Sequence, residues 1–221
     1  MMNYIQDHIQ PSLEVKLKEN LLDYKNVLEK RTSYIHYINL YQKNLNLNRY
    51  PDLLDEIRQI EPIRTHLDIS SNSLLYYGFI IAQPGNRNQK FHLDYKGKTI
   101  TYFIPMVDMT IENGTEYLYF YNEELYKRQF SFFLHISSLF TERSDIIEAL
   151  ESIHLTLHKD YEFRYAQASA YSVIELQNYV FHRGRVNETN QDRILFQITI
   201  EYEPVDFIIN NEFIAIAEQD E

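Results

Sequence analysis

The chain has 221 residues, enough for one sizeable core, and its 44% hydrophobic and 24% charged content is that of an ordinary globular protein. A net charge of -11 disfavours non-specific attachment to nucleic acid or to an anionic membrane. Cysteine is absent, which excludes a disulfide framework and any thiolate nucleophile or ligand.

No run reaches the roughly eighteen apolar residues of a spanning helix. Met1 to Gln10 also lacks the apolar centre of a secretory signal, so the expected location is cytoplasmic. All five glycines lie after residue 77, which makes the first third look helical and the remainder rich in turns. Pro11-Ser12 offers a helix start, followed by Leu13, Leu17, Leu21, Tyr24 and Leu28 on one face. Tyr34, Ile38 and Tyr41 extend the stripe into an expected second helix. A further start at Tyr50-Pro51-Asp52 leads through Leu53, Leu54, Ile57 and Ile60 to an end near Pro62.

From Leu74 the pattern changes to short apolar runs broken by turns. Leu74 to Ile81, Thr99 to Met109, Tyr117 to Tyr121, Tyr171 to Leu176, Asn178 to Phe181, Arg193 to Tyr202 and Phe207 to Ala217 read as strands. Asp145 to Leu155 reads as a short helix, within a 123–160 stretch that could be an insertion covering a pocket. Many short strands after a helical preface favour a mainly β barrel or jelly roll with supporting helices, in a single domain spanning 1–221. Residues 1–70 would then be helical support, and 74–217 the β core.

The chemistry concentrates in Phe91-His92-Leu93-Asp94, answered by His182 and then Arg193. Residues two apart in a strand share a face, so His92 and Asp94 can both point inward while Leu93 points away. Two imidazoles and one carboxylate suit a ferrous ion and leave three positions open for a keto acid and dioxygen. Arg193 supplies a planar, permanently charged fork for a carboxylate. Its parity groups it with Leu195, Gln197 and Thr199, apart from the greasy set Ile194, Phe196, Ile198 and Ile200. A hydroxyl from Tyr102 or Thr99 is expected to help the arginine, and Tyr76, Tyr77, Tyr119 and Phe181 are expected to line the pocket.

These residues give the chain a resemblance to the iron- and 2-oxoglutarate-dependent dioxygenases, in particular the phytanoyl-CoA dioxygenase-like branch. It rests on Gln89 to Asp94, on the Asp108 to Glu116 turn with its Asn113-Gly114, and on His182 through Arg193, and it covers roughly residues 74 to 203. It implies a double-stranded β-helix (jelly roll) core, with Fe(II) on His92, Asp94 and His182 and 2-oxoglutarate anchored by Arg193. With dioxygen, such a site would hydroxylate an unactivated C–H bond of a small metabolite or a peptide side chain. Where members of that branch carry Pro-Gly-Ser-His after the turn, this chain has Tyr117 to Asn122, so their substrates do not carry over.

Two readings from other classes remain open. One is a non-catalytic jelly-roll scaffold with a relic metal site, and the other a cupin-like metalloenzyme that needs no keto acid. Arg193 separates them from the dioxygenase. His154 and His158, four apart, read as a surface pair on a helix.

Overall fold

The computed structural model describes residues 2–6, 8–28, 35–45, 47–94, 98–136 and 140–202. The first element is a short strand, β1 (Met2–Gln6), followed by α1 (Pro11–Leu28), which starts at the expected proline. Strands β2 (Ile35–Gln42) and β3 (Leu47–Asn48) come next, then helices α2 (Pro51–Ile57) and α3 (Glu61–Leu67). After these come β4 (Ser73–Ala82), β5 (Thr99–Pro105), β6 (Thr115–Phe120), α4 (Glu123–Ile136) and α5 (Arg143–Glu151). The last are β7 (Tyr161–Tyr165), β8 (Val173–Gln177), β9 (His182–Gly184) and β10 (Arg193–Glu201).

The strands form a large antiparallel sheet in the order β1-β8-β5-β10-β4-β2-β3 and a small one in the order β7-β6-β9. An isolated antiparallel bridge between His92 and His182 continues the small sheet beyond β9. From β4 onward, the strands and the His92 segment alternate between the two sheets, except that β6 and β7 follow one another within the small sheet; this is the winding of a double-stranded β-helix.

Period-two alternation gives each face of the large sheet its own task. On β10, Phe196, Ile198 and Ile200 enter one apolar cluster with Ile100, Tyr102 and Ile104 of β5 and Tyr77, Phe79 and Ile81 of β4. Leu13 and Leu17 of α1, Leu53 and Ile57 of α2 and Ile63 of α3 pack onto that outer face. Leu195, Phe103, Ile174 and Leu176 face the other way and join Tyr117, Leu118 and Phe120 of the small sheet. Arg193, Gln197 and Thr199 share the inner parity with Leu195, as the sequence pattern requires.

Four expectations need correction. The Tyr34-Ile38-Tyr41 stripe is not helical: Ile38 and Tyr41 lie in β2, paired to β4, and Tyr34 lies outside the described residues. Strand β2 is buried on both faces, so its apolar residues follow no strict alternation and imitate helical spacing. Pro62 does not end a helix; it sits in the first turn of α3, where its missing N–H has no intrahelical partner to lose. Asn178 and Tyr179 form a turn that precedes β9. His154 and His158 are exposed but not helical, each having positive φ (66° and 63°) in the turns after α5. The run Phe207 to Ala217 lies outside the described residues.

Phe196 is fully buried in the outer cluster, so Phe196→Ala should cost about 3–5 kcal/mol in urea unfolding. Leu22→Ala, on the exposed side of α1, should stay within about 0.5 kcal/mol of wild type.

Candidate metal centre

His92 and His182 are joined by two backbone hydrogen bonds. The His92 N–H donates to His182 O at 2.8 Å, and the His182 N–H donates to His92 O at 3.0 Å. A hydrogen-bonded antiparallel pair directs its two side chains to one face, and the imidazole centroids stand 4.7 Å apart. Asp94, two residues beyond His92, shares that face. Its Oδ1 lies 3.4 Å from His92 Nε2 and 3.6 Å from His182 Nε2. Ligands about 2.1 Å from a common ion stand roughly 3–3.5 Å from one another, so these two distances are close to those within a metal site.

The backbone also sets the tautomers. His92 Nδ1 lies 2.7 Å from Lys90 O, and His182 Nδ1 lies 2.9 Å from Val180 O. A carbonyl oxygen only accepts, so each Nδ1 carries the proton and each Nε2 turns a lone pair toward Asp94. Burial pulls the His182 pKa below its ordinary value against the opposing pull of Asp94, which favours the neutral ring. Burial alone would raise the Asp94 pKa; a proton on the facing side of His182 or His92 opposes it in the metal-free site and holds the carboxyl below the usual range, a part that a bound cation would take over. Three electron-pair donors therefore converge in a water-poor space, an arrangement that a cation would stabilise. His92, Asp94 and His182 could hold a metal ion.

Arg193 opens β10 and is 2% exposed. Its Nη1 donates to Asn113 O at 2.9 Å and to Arg185 O at 3.3 Å, while its Nε has no hydrogen-bond partner. Burial draws its pKa down to about 10, and the one group opposing that shift is the Tyr37 phenol rather than a carboxylate. The Asn113 carbonyl comes from the turn before β6, whose shape is set by Asn113 itself: its side chain accepts from Thr110 N at 2.7 Å and donates to Asp108 O at 3.0 Å.

The end of the guanidinium lies over Gly184, where a Cβ would fall 2.9 Å from Arg193 Nη2. Gly184 and His182 share a face of β9 one pleat apart, roughly 6.5–7 Å. Gln89 completes this end of the site. Its Oε1 accepts from Gly184 N at 2.7 Å and its Nε2 donates to Tyr37 OH. Neither Gln89, although part of the Gln89 to Asp94 segment, nor Tyr37 has a role assigned from the sequence. Gln89 carried a signal, three residues before His92, whereas Tyr37 sits in the strand that imitates a helix.

Beyond the triad, away from Arg193, Asp94, Thr99, Thr101, Leu176, Gln177, Asn178, Val180 and His182 line a shallow indentation. Thr99 therefore reaches the metal side of the site but not the arginine. It pairs with Glu201, eight residues along β10 from Arg193, a span of roughly 26 Å. Tyr102 is also wrongly assigned as a co-substrate residue: it faces the outer cluster, with its ring 6.2 Å from that of His66. Tyr77 is on the same outer face, its hydroxyl donating to Tyr50 O at 3.0 Å. Phe181 points away from the triad and stacks on Phe91 and Phe133. Tyr76 and Tyr119 keep the inner parity by register with Thr199 and, through β6, with Tyr117 and His182.

No protein-family model and no curated protein matches the sequence. Solved structures do match. The non-heme alpha-ketoglutarate-dependent carbocyclase SnoK from nogalamycin biosynthesis superposes with a TM-score of 0.64 at 12% identity, over 93% of this chain and 81% of that one. HygX from Streptomyces hygroscopicus, solved with nickel and 2-oxoglutarate, gives 0.56 at 10% identity over 90% and 82%. AviO1 from Streptomyces viridochromogenes Tue57 gives 0.56 at 13% identity over 90% and 89%. At these identities the likeness establishes the fold: this chain has the double-stranded β-helix found in non-heme alpha-ketoglutarate-dependent enzymes. Among the described residues no helix is long and apolar enough to cross a membrane.

The buried neutral His182 has a pH signature. Its folded pKa lies below the unfolded value, so the unfolded chain binds more protons as pH falls through about 6.5 and the folded state loses stability there. Metal-free wild type should lose urea stability between pH 7.5 and 5.5, with a shallower loss in His182→Gln.

Proposed function

We propose that this protein is an Fe(II)- and 2-oxoglutarate-dependent dioxygenase that acts on an unactivated C–H bond of a small molecule, with hydroxylation the expected outcome. The observation that carries this reading is the convergence of the His92 and His182 Nε2 lone pairs on the Asp94 carboxylate, with both Nδ1 protons committed to backbone carbonyls. Hard oxygen and borderline nitrogen donors without sulfur suit a ferrous ion. When bound, iron and 2-oxoglutarate supply the oxidising chemistry with dioxygen, and the keto acid leaves as succinate and carbon dioxide.

The chain's own residues bind and orient. His92, Asp94 and His182 hold the metal, and Lys90 O and Val180 O keep the imidazoles in the ligating tautomer. Arg193 is a buried cation that no carboxylate pairs with among the described residues, and an anion of the ligand would offset its cost. Its place one pleat from His182 matches a short dicarboxylate reaching from the metal to the guanidinium. Gly184 leaves room for that contact, and Gln89 fixes the adjoining backbone. The substrate would approach the metal from the side lined by Thr99 and Thr101.

Solved proteins of this fold include a carbocyclase and an epimerase, so the product must be identified as well as oxygen uptake. A peptide substrate is the second form of the same reading. A cytoplasmic setting is part of this proposal. One folded unit over 1–221, with 123–160 as an insertion between core strands, is part of this proposal; α4 and α5 between β6 and β7 support it.

Anaerobic titration of Fe(II)-loaded protein with 2-oxoglutarate should produce a weak visible charge-transfer band. Under air, slow succinate release should follow. Asp94→Ala should abolish the band. Arg193→Ala should weaken 2-oxoglutarate at least about 100-fold, equivalent to about 3 kcal/mol for a charged hydrogen-bonded pair. A scaffold protein, or a metalloenzyme without a keto acid, would leave 2-oxoglutarate unbound in wild type and variant alike.

A further inference from the structure

Behind the triad, on the opposite face of the small sheet, lies a second charged cluster that the proposed chemistry does not use. Glu116 of β6 is 0% exposed and accepts from two arginines. Its Oε2 takes the Arg183 Nε–H at 2.6 Å, and its Oε1 takes the Nε–H of Arg143, at the start of α5. Arg143 also donates to Tyr165 OH and lies 5.0 Å from the ring centre of Phe163.

The segment just before α5 reaches the two histidine-bearing strands as well. Phe140 O accepts from Phe91 N at 3.0 Å, and Thr141 O accepts from Arg183 Nη1. The Arg183 guanidinium also sits 4.4 Å from the ring centre of Phe91. Phe91 immediately precedes His92, and Arg183 immediately follows His182. Residues 140–143 thus grip the neighbour of each histidine from behind.

The two ligand segments need such a grip. Strand β9 has three residues, and His92 is held to it by an isolated bridge. So short a ladder leaves fraying as the default, whereas a metal site needs its donors fixed to about 0.5 Å. A buried carboxylate with each oxygen held by a different guanidinium resists displacement, because losing either arginine leaves one buried oxygen without its charge-assisted hydrogen bond.

We propose that Glu116, Arg143 and Arg183, with the 140–143 backbone, are positioning residues for the metal centre. Docking of α5 and alignment of the two histidines are then one event. This rests on the metal reading above, and it adds that a segment remote from the ligands sets their affinity for metal.

The test uses Arg143→Met, which keeps the apolar stem over Phe163 but removes the α5 half of the cluster, on a partly exposed residue that touches no ligand. Arg143→Lys, which keeps the charge without the fork, is the conservative comparison. Co(II) binding is followed by its visible absorption, and backbone hydrogen exchange is followed in metal-free protein. Arg143→Met should weaken Co(II) at least about tenfold, as loss of groups supporting metal ligands does, with Arg143→Lys in between. Exchange should rise together at 91–94, 181–184 and 143–151, with β4 and β10 unchanged.

Exchange rising only at 143–151, or Co(II) affinity within about twofold of wild type, would overturn the proposal. A wild type that takes up no Co(II) would instead sink the metal reading. The exchange experiment would still decide whether the clamp exists.

Discussion

A reciprocal pair of backbone hydrogen bonds between His92 and His182 fixes the spacing on which the rest of the site depends. It joins two segments ninety residues apart in sequence and turns both imidazoles to one face, where the two-residue repeat of extended chain brings in Asp94. The carbonyls of Lys90 and Val180 then choose which nitrogen of each ring faces Asp94. Geometry, tautomer and charge therefore follow from main-chain pairing before any ligand is considered.

The same alternation divides labour across the large sheet. Each of β4, β5 and β10 gives one parity to the helices and the other to the interior. The outer parity is nearly all apolar, which lets α1, α2 and α3 cover it. The inner parity tolerates Arg193, Gln197, Thr199, Thr101 and Thr99, all of them buried. Thr101 and Thr199 satisfy one another across the β5–β10 ladder at 3.0 Å. Polar function is concentrated on a surface whose structural work is done from behind.

The sequence exposed the inner parity of β10 and the triad because each obeys a period that survives in one dimension: Arg193-Leu195-Gln197-Thr199, and His92 with Asp94. It misled where register decides. Thr99 and Tyr102 both follow the metal segment closely, yet Thr99 sits at the far end of β5 from Arg193, and Tyr102 has the wrong parity. Strand β2 escaped because burial on both faces erases alternation, and with it went Tyr37. Glu116 read as part of a turn motif. Its role depends on Arg143 and Arg183, which lie 27 and 67 residues away.

Arg193 lies among carbonyl oxygens, with no acid beside it among the described residues. A fold that interred this charge for a partner arriving from solution would be at its least stable when empty. Ligand occupancy then adds directly to the free energy holding the chain together. Under the proposed function, starvation for the keto acid would silence the catalyst and also shorten its lifetime, since unoccupied copies unfold more often and are cleared. Abundance would thereby follow metabolic supply without a dedicated regulator.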